Sequence, residues 1–178
     1  MPAGQPIFDA GSAISTLTSV GAYEGALRDI VHALKYQGRR SIAVTLARLM
    51  RAAGQDLLST ADCVVPVPLH WRREYTRGFN QAREIARHLD LPMIDALRRC
   101  RATTPQVELS ADERHANVAG AFALRRRSLF HQAPRLEGCQ AVLIDDVATT
   151  GATLDACARI LKAAGAAQVH GLTAARRV

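Results

Sequence analysis

Leu27, Ile30, Val31 and Leu34 recur at the spacing of one helix face, so the sequence predicts a helix over 23–36. Gly38 and the Arg39–Arg40 pair interrupt it. A second stripe, Ile42, Leu46, Leu49 and Met50, predicts another helix closed by Gly54. The period then changes. Cys63-Val64-Val65-Pro66-Val67-Pro68 is short, β-branched and free of charge, as a strand covered on both faces would be. Its two prolines say that it ends there or lies at a sheet edge. Ala82, Ile85, Ala86 and Leu89 place a helix over 79–89, and Leu91-Pro92-Met93-Ile94 is a candidate strand. Residues 98–117 are the least regular stretch; within them Ser110-Ala111-Asp112-Glu113 has the form of a capping box and predicts a short helix from Ser110. Strands are expected over 120–124, 141–144 and 169–174, with a helix over 152–164 closed by Gly165. Strands alternating with helices predict an α/β domain with a mostly parallel sheet. Residues 1–20 read as a loosely ordered lead-in and 21–178 as a single domain.

Composition narrows the class. With 178 residues, 48% hydrophobic and 22% charged, the chain is large and apolar enough for a packed core. No apolar run approaches the roughly 20 residues of a membrane span, and the start lacks a basic segment followed by an apolar one. The expected setting is cytoplasmic, with no membrane partner. The four cysteines, Cys63, Cys100, Cys139 and Cys157, form no C-x-x-C pair, so neither a zinc site nor a disulfide framework is indicated. The net charge is +7, and 21 of the 23 basic residues are arginine. The planar fork of arginine suits phosphate, so polyanionic ligands are natural partners; an arginine-favouring codon composition would give the same surface. Aromatic residues make up only 4%, which argues against a base-stacking platform.

The chemistry concentrates in Ala141-Val142-Leu143-Ile144-Asp145-Asp146-Val147-Ala148-Thr149-Thr150-Gly151-Ala152-Thr153-Leu154. Four apolar residues place a buried strand, two carboxylates stand at its carboxyl end, and a loop of small and hydroxylated residues opens into a helix. Open parallel sheets bind ligands at that end of their strands. The backbone N–H groups of Ala148 to Thr153 and the start of the helix form a nest for an anion. Thr149, Thr150 and Thr153 add hydroxyls, and Gly151 lets the backbone approach a phosphate closely. Asp145 and Asp146 suit a vicinal diol, either directly or through Mg²⁺. Phosphate on one side and a diol on the other describe a ribose 5-phosphate. Merely structural use would leave two adjacent carboxylates repelling one another beside a buried strand. There is no G-x-x-x-x-G-K-[ST] loop, which disfavours nucleoside triphosphate hydrolysis.

This strand–Asp–Asp–loop segment resembles the phosphoribosyl pyrophosphate signature of type I phosphoribosyltransferases. Other matches narrow the likeness: Ala22-Tyr23-Glu24-Gly25-Ala26-Leu27-Arg28 with Leu34-Lys35-Tyr36-Gln37-Gly38, and Asp62 to His70 with Arg77-Gly78-Phe79-Asn80-Gln81-Ala82. Arg99, Arg101, Thr103 and Gln106 followed by Arg114, Asn117, Gly120 and Phe122 complete a pattern similar to the ComF family, linked to natural competence. The resemblance runs from about Tyr23 to Arg176. Such proteins usually begin with a cysteine-rich zinc ribbon, and nothing like it is found here; a shortened version, or a start downstream of the true one, is expected.

The resemblance implies a type I phosphoribosyltransferase-like fold, a mostly parallel central sheet flanked by helices, with an N-terminal helical segment. It implies Mg²⁺ and phosphoribosyl pyrophosphate as cofactor and ligand, and phosphoribosyl transfer to an unidentified acceptor, with Asp145 and Asp146 as catalytic and metal-holding residues. The loop after the first core strand would hold pyrophosphate through Pro68, Leu69, His70 and Arg72, with Arg77 aimed at it and Asn80 and Gln81 shaping the site. A helix N-cap alone would account for Asn80. Arg101, Thr103, Thr104, Gln106 and Arg114 would lie on a flexible loop closing over the ligand. Lys35 and Tyr36 close the first helix, where a lysine meets the helix dipole favourably. The alternatives are a competence or DNA-uptake protein binding single-stranded DNA with the competence machinery, or a non-catalytic sensor of phosphoribosyl pyrophosphate; homodimer formation is a further expectation. An Arg125-Arg126-Arg127 patch is a candidate DNA footprint.

Overall fold

The computed structural model describes residues 11–101, 120–125 and 135–177, the side chains of residues 72 and 73 excepted. Four parallel strands build the central sheet in the order β1-β6-β5-β2. These are β1 (Leu17–Ala22), β2 (Cys63–Pro66), β5 (Gln140–Ala148) and β6 (Gln168–Arg176). A separate antiparallel pair is formed by β3 (Leu97–Arg99) and β4 (Phe122–Leu124).

The unbroken apolar run of β5 follows from cover on both faces. Ala141 and Leu143 join one apolar layer, Val142 and Ile144 the other, and all four are fully buried. On the first face lie Leu154, Cys157, Ala158 and Leu161 of α6 (Ala152–Ala163), with Leu97 and Phe122 of the β3–β4 pair. The second face carries α1 (Gly25–Tyr36), α2 (Ile42–Ala53) and α5 (Gln81–Ala86). Val31 and Leu34 bury completely there, and side chains of this kind contribute about 1.5–3 kcal/mol each, enough to seat the last turn of α1 firmly on the sheet. Two short helices, α3 (Gln55–Thr60) and α4 (Trp71–Arg77), lie in the connections on either side of β2.

The structure corrects several expectations. The lead-in read over 1–20 ends sooner, because Leu17–Ala22 is a sheet strand paired with β6 from Leu17↔Gly171 to Ala22↔Arg176. Even before it, Ile14 is buried, and Asp155 on α6 accepts hydrogen bonds from the Ser12 hydroxyl and the Ala13 N–H, both at 2.8 Å. The sequence conceals β1 because LTSVGA is half-buried at every position and has no apolar alternation. The helix expected over 79–89 is confined to α5, and the strand expected over 91–94 contracts to one parallel bridge, Val64↔Met93. The strand expected over 141–144 is nine residues long, so Asp145 and Asp146 lie within β5 and not after it. The helix expected from Ser110 lies outside the described residues.

Candidate functional site at the carboxyl edge of the sheet

Register creates a notch. β2 ends at Pro66 opposite Ile144, and the Val67 N–H closes that ladder on the Ile144 carbonyl at 2.9 Å. On its other side β5 stays paired with β6 as far as Ala148↔Arg176. Residues 145–148 therefore overhang the end of β2. Beyond the notch come the turn 149–151 and the start of α6.

As neighbours in a strand, the two acids leave toward opposite faces. Asp146, only 8% exposed, turns toward the α1 layer, and its Oδ1 lies 2.9 Å from Lys35 Nζ in an ion pair whose side chains are 18% and 11% exposed. Burial acts to lower the Lys35 pKa, but the Asp146 charge and hydrogen bond, with Asp145 behind them, outweigh it and hold the ammonium above its ordinary value. Asp145, partly exposed, accepts the Asp146 N–H at 2.8 Å. Burial first, then the Asp146 charge, push its carboxyl up to about 7, against the opposing pull of Lys35, the Asp146 N–H and Arg99. The buried Cys157 thiol, raised by burial and then by Asp145, marks the α6 side as the one this carboxylate faces.

The two acids thus share a strand end without sharing a direction. That departs from the simplest picture of a side-by-side clamp. Among the described residues no three of His, Cys, Asp and Glu cluster closely enough to hold a metal ion. A magnesium ion here would take its remaining ligands from phosphate and sugar oxygens and from water, a common arrangement for that ion. The donor chemistry fits, because Asp145 carries a charge that its own surroundings disfavour and a cation or a pair of hydroxyls would stabilise.

In the segment expected to receive a phosphate, one boundary differs from the sequence expectation. Ala148 is the last residue of β5 and is buried, so the bend proper is Thr149, Thr150 and Gly151 before Ala152 and Thr153 open α6. Gly151 adopts φ +75°, a left-handed conformation that a side chain would strain. The Thr150 hydroxyl is buried and has no hydrogen-bond partner among the described residues. An unpaired buried hydroxyl costs free energy, and a phosphate oxygen would satisfy it.

Around the end of β2 the side chains turn inward more than the sequence suggested. Pro68 and His70 are buried, Leu69 is half-buried, and the His70 ring lies 5.6 Å from that of Trp71. The Arg72 side chain lies outside the described residues. Arg77 is engaged: it donates to Gln81 Oε1 at 3.3 Å, and its guanidinium lies 5.1 Å from the centroid of the Tyr36 ring. Asn80 is the N-cap anticipated for α5, accepting the Arg83 N–H at 3.3 Å, and it also donates to the Val67 carbonyl at 3.0 Å. Gln81 is 1% exposed, and its Nε2 has no hydrogen-bond partner among the described residues. Arg101 is exposed just beyond β3, whereas Thr103, Thr104, Gln106 and Arg114 lie outside the described residues. The same holds for Arg126 and Arg127; Arg125 is tied to Asp95 at 3.2 Å and to the Leu97 carbonyl. Sequence reasoning left Lys35 to the helix dipole. Its signal is position, one residue beyond the buried Leu34 on a helix end that packs toward the sheet.

Comparison with known proteins gives the family. Residues 75–177 match the Phosphoribosyl transferase domain family. DNA utilization protein YhgH of Salmonella typhi is 36% identical over an alignment of 186 residues, covering 96% of this chain and 78% of that protein. Competence protein F of Haemophilus influenzae is 33% identical over 161 residues, covering 85% and 68%. Competence protein ComFC of Bacillus subtilis is 32% identical over 168 residues, covering 89% of this chain and 63% of its own length. Among solved structures, a hypoxanthine phosphoribosyltransferase from Staphylococcus aureus has a TM-score of 0.41 at 14% identity, covering 72% of this chain and 61% of that one. The allosteric regulatory enzyme of purine biosynthesis has a TM-score of 0.45 at 21% identity; the match covers 74% of this chain and 26% of that enzyme.

Proposed function

This chain belongs to the phosphoribosyl transferase domain family, as a ComF-family member, and from that premise we propose that its carboxyl-edge notch binds phosphoribosyl pyrophosphate with Mg²⁺ and transfers the phosphoribosyl group to an acceptor. One observation carries the reading. Within seven consecutive residues, Asp145 to Gly151, the chain sets two carboxylates, a buried hydroxyl unpartnered among the described residues and a left-handed bend that opens a helix.

Each part has a task. The bend and the first N–H groups of α6 receive the 5-phosphate, with the Thr150 hydroxyl completing its oxygens. Asp145 and Asp146 accept from the ribose hydroxyls and fix the sugar in the notch. As the bond from C1 to pyrophosphate breaks and that to the acceptor forms, positive charge develops on the ring, and the two carboxylates stabilise it. Magnesium, when bound, would neutralise charge on the leaving pyrophosphate. No covalent nucleophile is needed; the chain supplies position and electrostatics.

The test is a calorimetric titration of the protein with phosphoribosyl pyrophosphate and Mg²⁺, repeated with Asp145→Asn/Asp146→Asn. We expect saturable binding that the double variant loses while remaining folded by circular dichroism. Unchanged binding in the folded variant refutes the reading, and a screen of bases for pyrophosphate release then separates transfer from binding alone.

A second use, the handling of single-stranded DNA, is favoured by the names of the relatives and by where the aromatic side chains lie. The chain is poor in aromatics, yet Tyr36, Trp71 and Tyr75 are 64%, 64% and 89% exposed, on α1 and α4 near the carboxyl edge. Base stacking on such rings contributes about 1–3 kcal/mol per base. Single-stranded DNA should bind with an affinity that falls steeply with salt, and Trp71→Ala/Tyr75→Ala should weaken it at least about tenfold. Binding indifferent to both changes would sink this second use.

A further inference from the structure

We infer that Lys35 is the resident counter-ion of Asp146: it holds that side chain in place while the site is empty, and it competes with the cation that arrives with the ligand. The inference rests on the phosphoribosyl pyrophosphate reading and adds a residue outside the signature segment to the same site.

The geometry is that of a built contact. The Lys35 ammonium and the Asp146 carboxylate meet at 2.9 Å with side chains 18% and 11% exposed. Neither charge could be buried there alone, since removing one partner of such a pair leaves an uncompensated charge. The position of the lysine is imposed by α1, whose Val31 and Leu34 are fully buried against the sheet layer that contains Val142 and Ile144. α1 thus delivers a positive charge to the end of β5 that carries two consecutive acids.

The choice of residue matters as much as the place. Of 23 basic residues only two are lysine, Lys35 and Lys162. Arginine would lock Asp146 in a planar two-point fork, whereas an ammonium on a flexible stem is a point charge that can swing off one acceptor onto another. A contact that must yield to an incoming ligand calls for the second kind. Asp146 cannot offer its oxygens fully to a diol or a metal while Lys35 holds one of them, so occupancy of the site and the position of the end of α1 are coupled.

The test uses Mn²⁺ as a probe for the divalent site, titrated into ligand-free protein and followed by loss of the free-ion EPR signal, for wild type, Lys35→Met, Lys35→Gln and Lys35→Arg. Removing a competing unit charge in direct contact with the acid should tighten Mn²⁺ binding at least about tenfold in the Met and Gln variants. Lys35→Arg, which keeps the charge and can grip the acid at two points, should bind Mn²⁺ no more tightly than wild type does. If the lysine only anchors α1, the neutral variants lose thermal stability and their Mn²⁺ affinity is unchanged or weaker, which overturns the inference. The Gln variant, which retains a hydrogen-bond donor, covers the case in which Met does not fold. Calorimetry of the wild type with phosphoribosyl pyrophosphate and Mg²⁺ tests the underlying reading separately. If that ligand binds and the Mn²⁺ affinities do not move, the function stands and the role of Lys35 falls. If that ligand does not bind, the functional reading falls first.

Discussion

Asp145→Asn should stabilise the empty protein at neutral and alkaline pH while abolishing its ligand binding. Its carboxyl rises from an ordinary value of 3.8 to about 7, through burial and then the charge of Asp146. The sign follows from which state keeps the proton. Below pH 3.8 folded and unfolded chains both carry it, and the group costs nothing. Between about pH 4 and 7 the unfolded chain releases the proton and the folded chain does not, so stability falls as pH rises; above 7 the full cost remains. A proton held over that interval corresponds to at most about 4 kcal/mol. The side chain keeps some contact with water and Lys35 stands close, so we expect a gain of about 1–2 kcal/mol at pH 8.5 and almost none at pH 4.5. Asparagine preserves the acceptor oxygen that receives the Asp146 N–H, so the comparison isolates the charge. Urea denaturation of both proteins at the two pH values, with calorimetry of ligand binding alongside, makes the measurement. Parallel stability curves, or a variant less stable than wild type at pH 8.5, would show that Asp145 is not held at the expense of the fold.

Gly151→Val forces a β-branched residue into φ +75° and should lower Tm by about 2–8 °C while reducing ribose 5-phosphate affinity more than about tenfold; normal affinity by calorimetry would contradict the placement of the phosphate. Asn80→Ala removes both the cap on the Arg83 N–H and the buried bond to the Val67 carbonyl, and should cost about 1–3 kcal/mol in urea denaturation. An unmoved midpoint would mean that this residue does not tie α5 to the loop after β2.

What the sequence discloses and what it withholds divide along one line, the distance in sequence over which a residue finds its partner. From β5 through the bend to α6, every feature is encoded within a short run: a fully apolar stretch, two acids, small hydroxylated residues, a glycine and an amphipathic helix. That run reads correctly because its structure depends on immediate neighbours and on burial of both faces. Even there one boundary shifted, since Asp145 to Ala148 stay in the strand by pairing with Thr173 to Arg176, and that ladder cannot be seen from their own side chains. β1 is invisible for the same reason, for its half-buried residues owe their extended form to β6 near the opposite end of the chain. α4 escapes notice because WRREYTR has no apolar stripe and presents Trp71 and Tyr75 to solvent. Lys35 is the consequential case. Its helix is legible from Leu27 to Leu34, yet whether the lysine faces water or an acid is decided only when α1 docks against β5. The candidate residues of such a site are therefore local in sequence, whereas their electrostatic balance is a tertiary property. The charge that would have to yield to a ligand arrives from a helix that the signature segment never mentions.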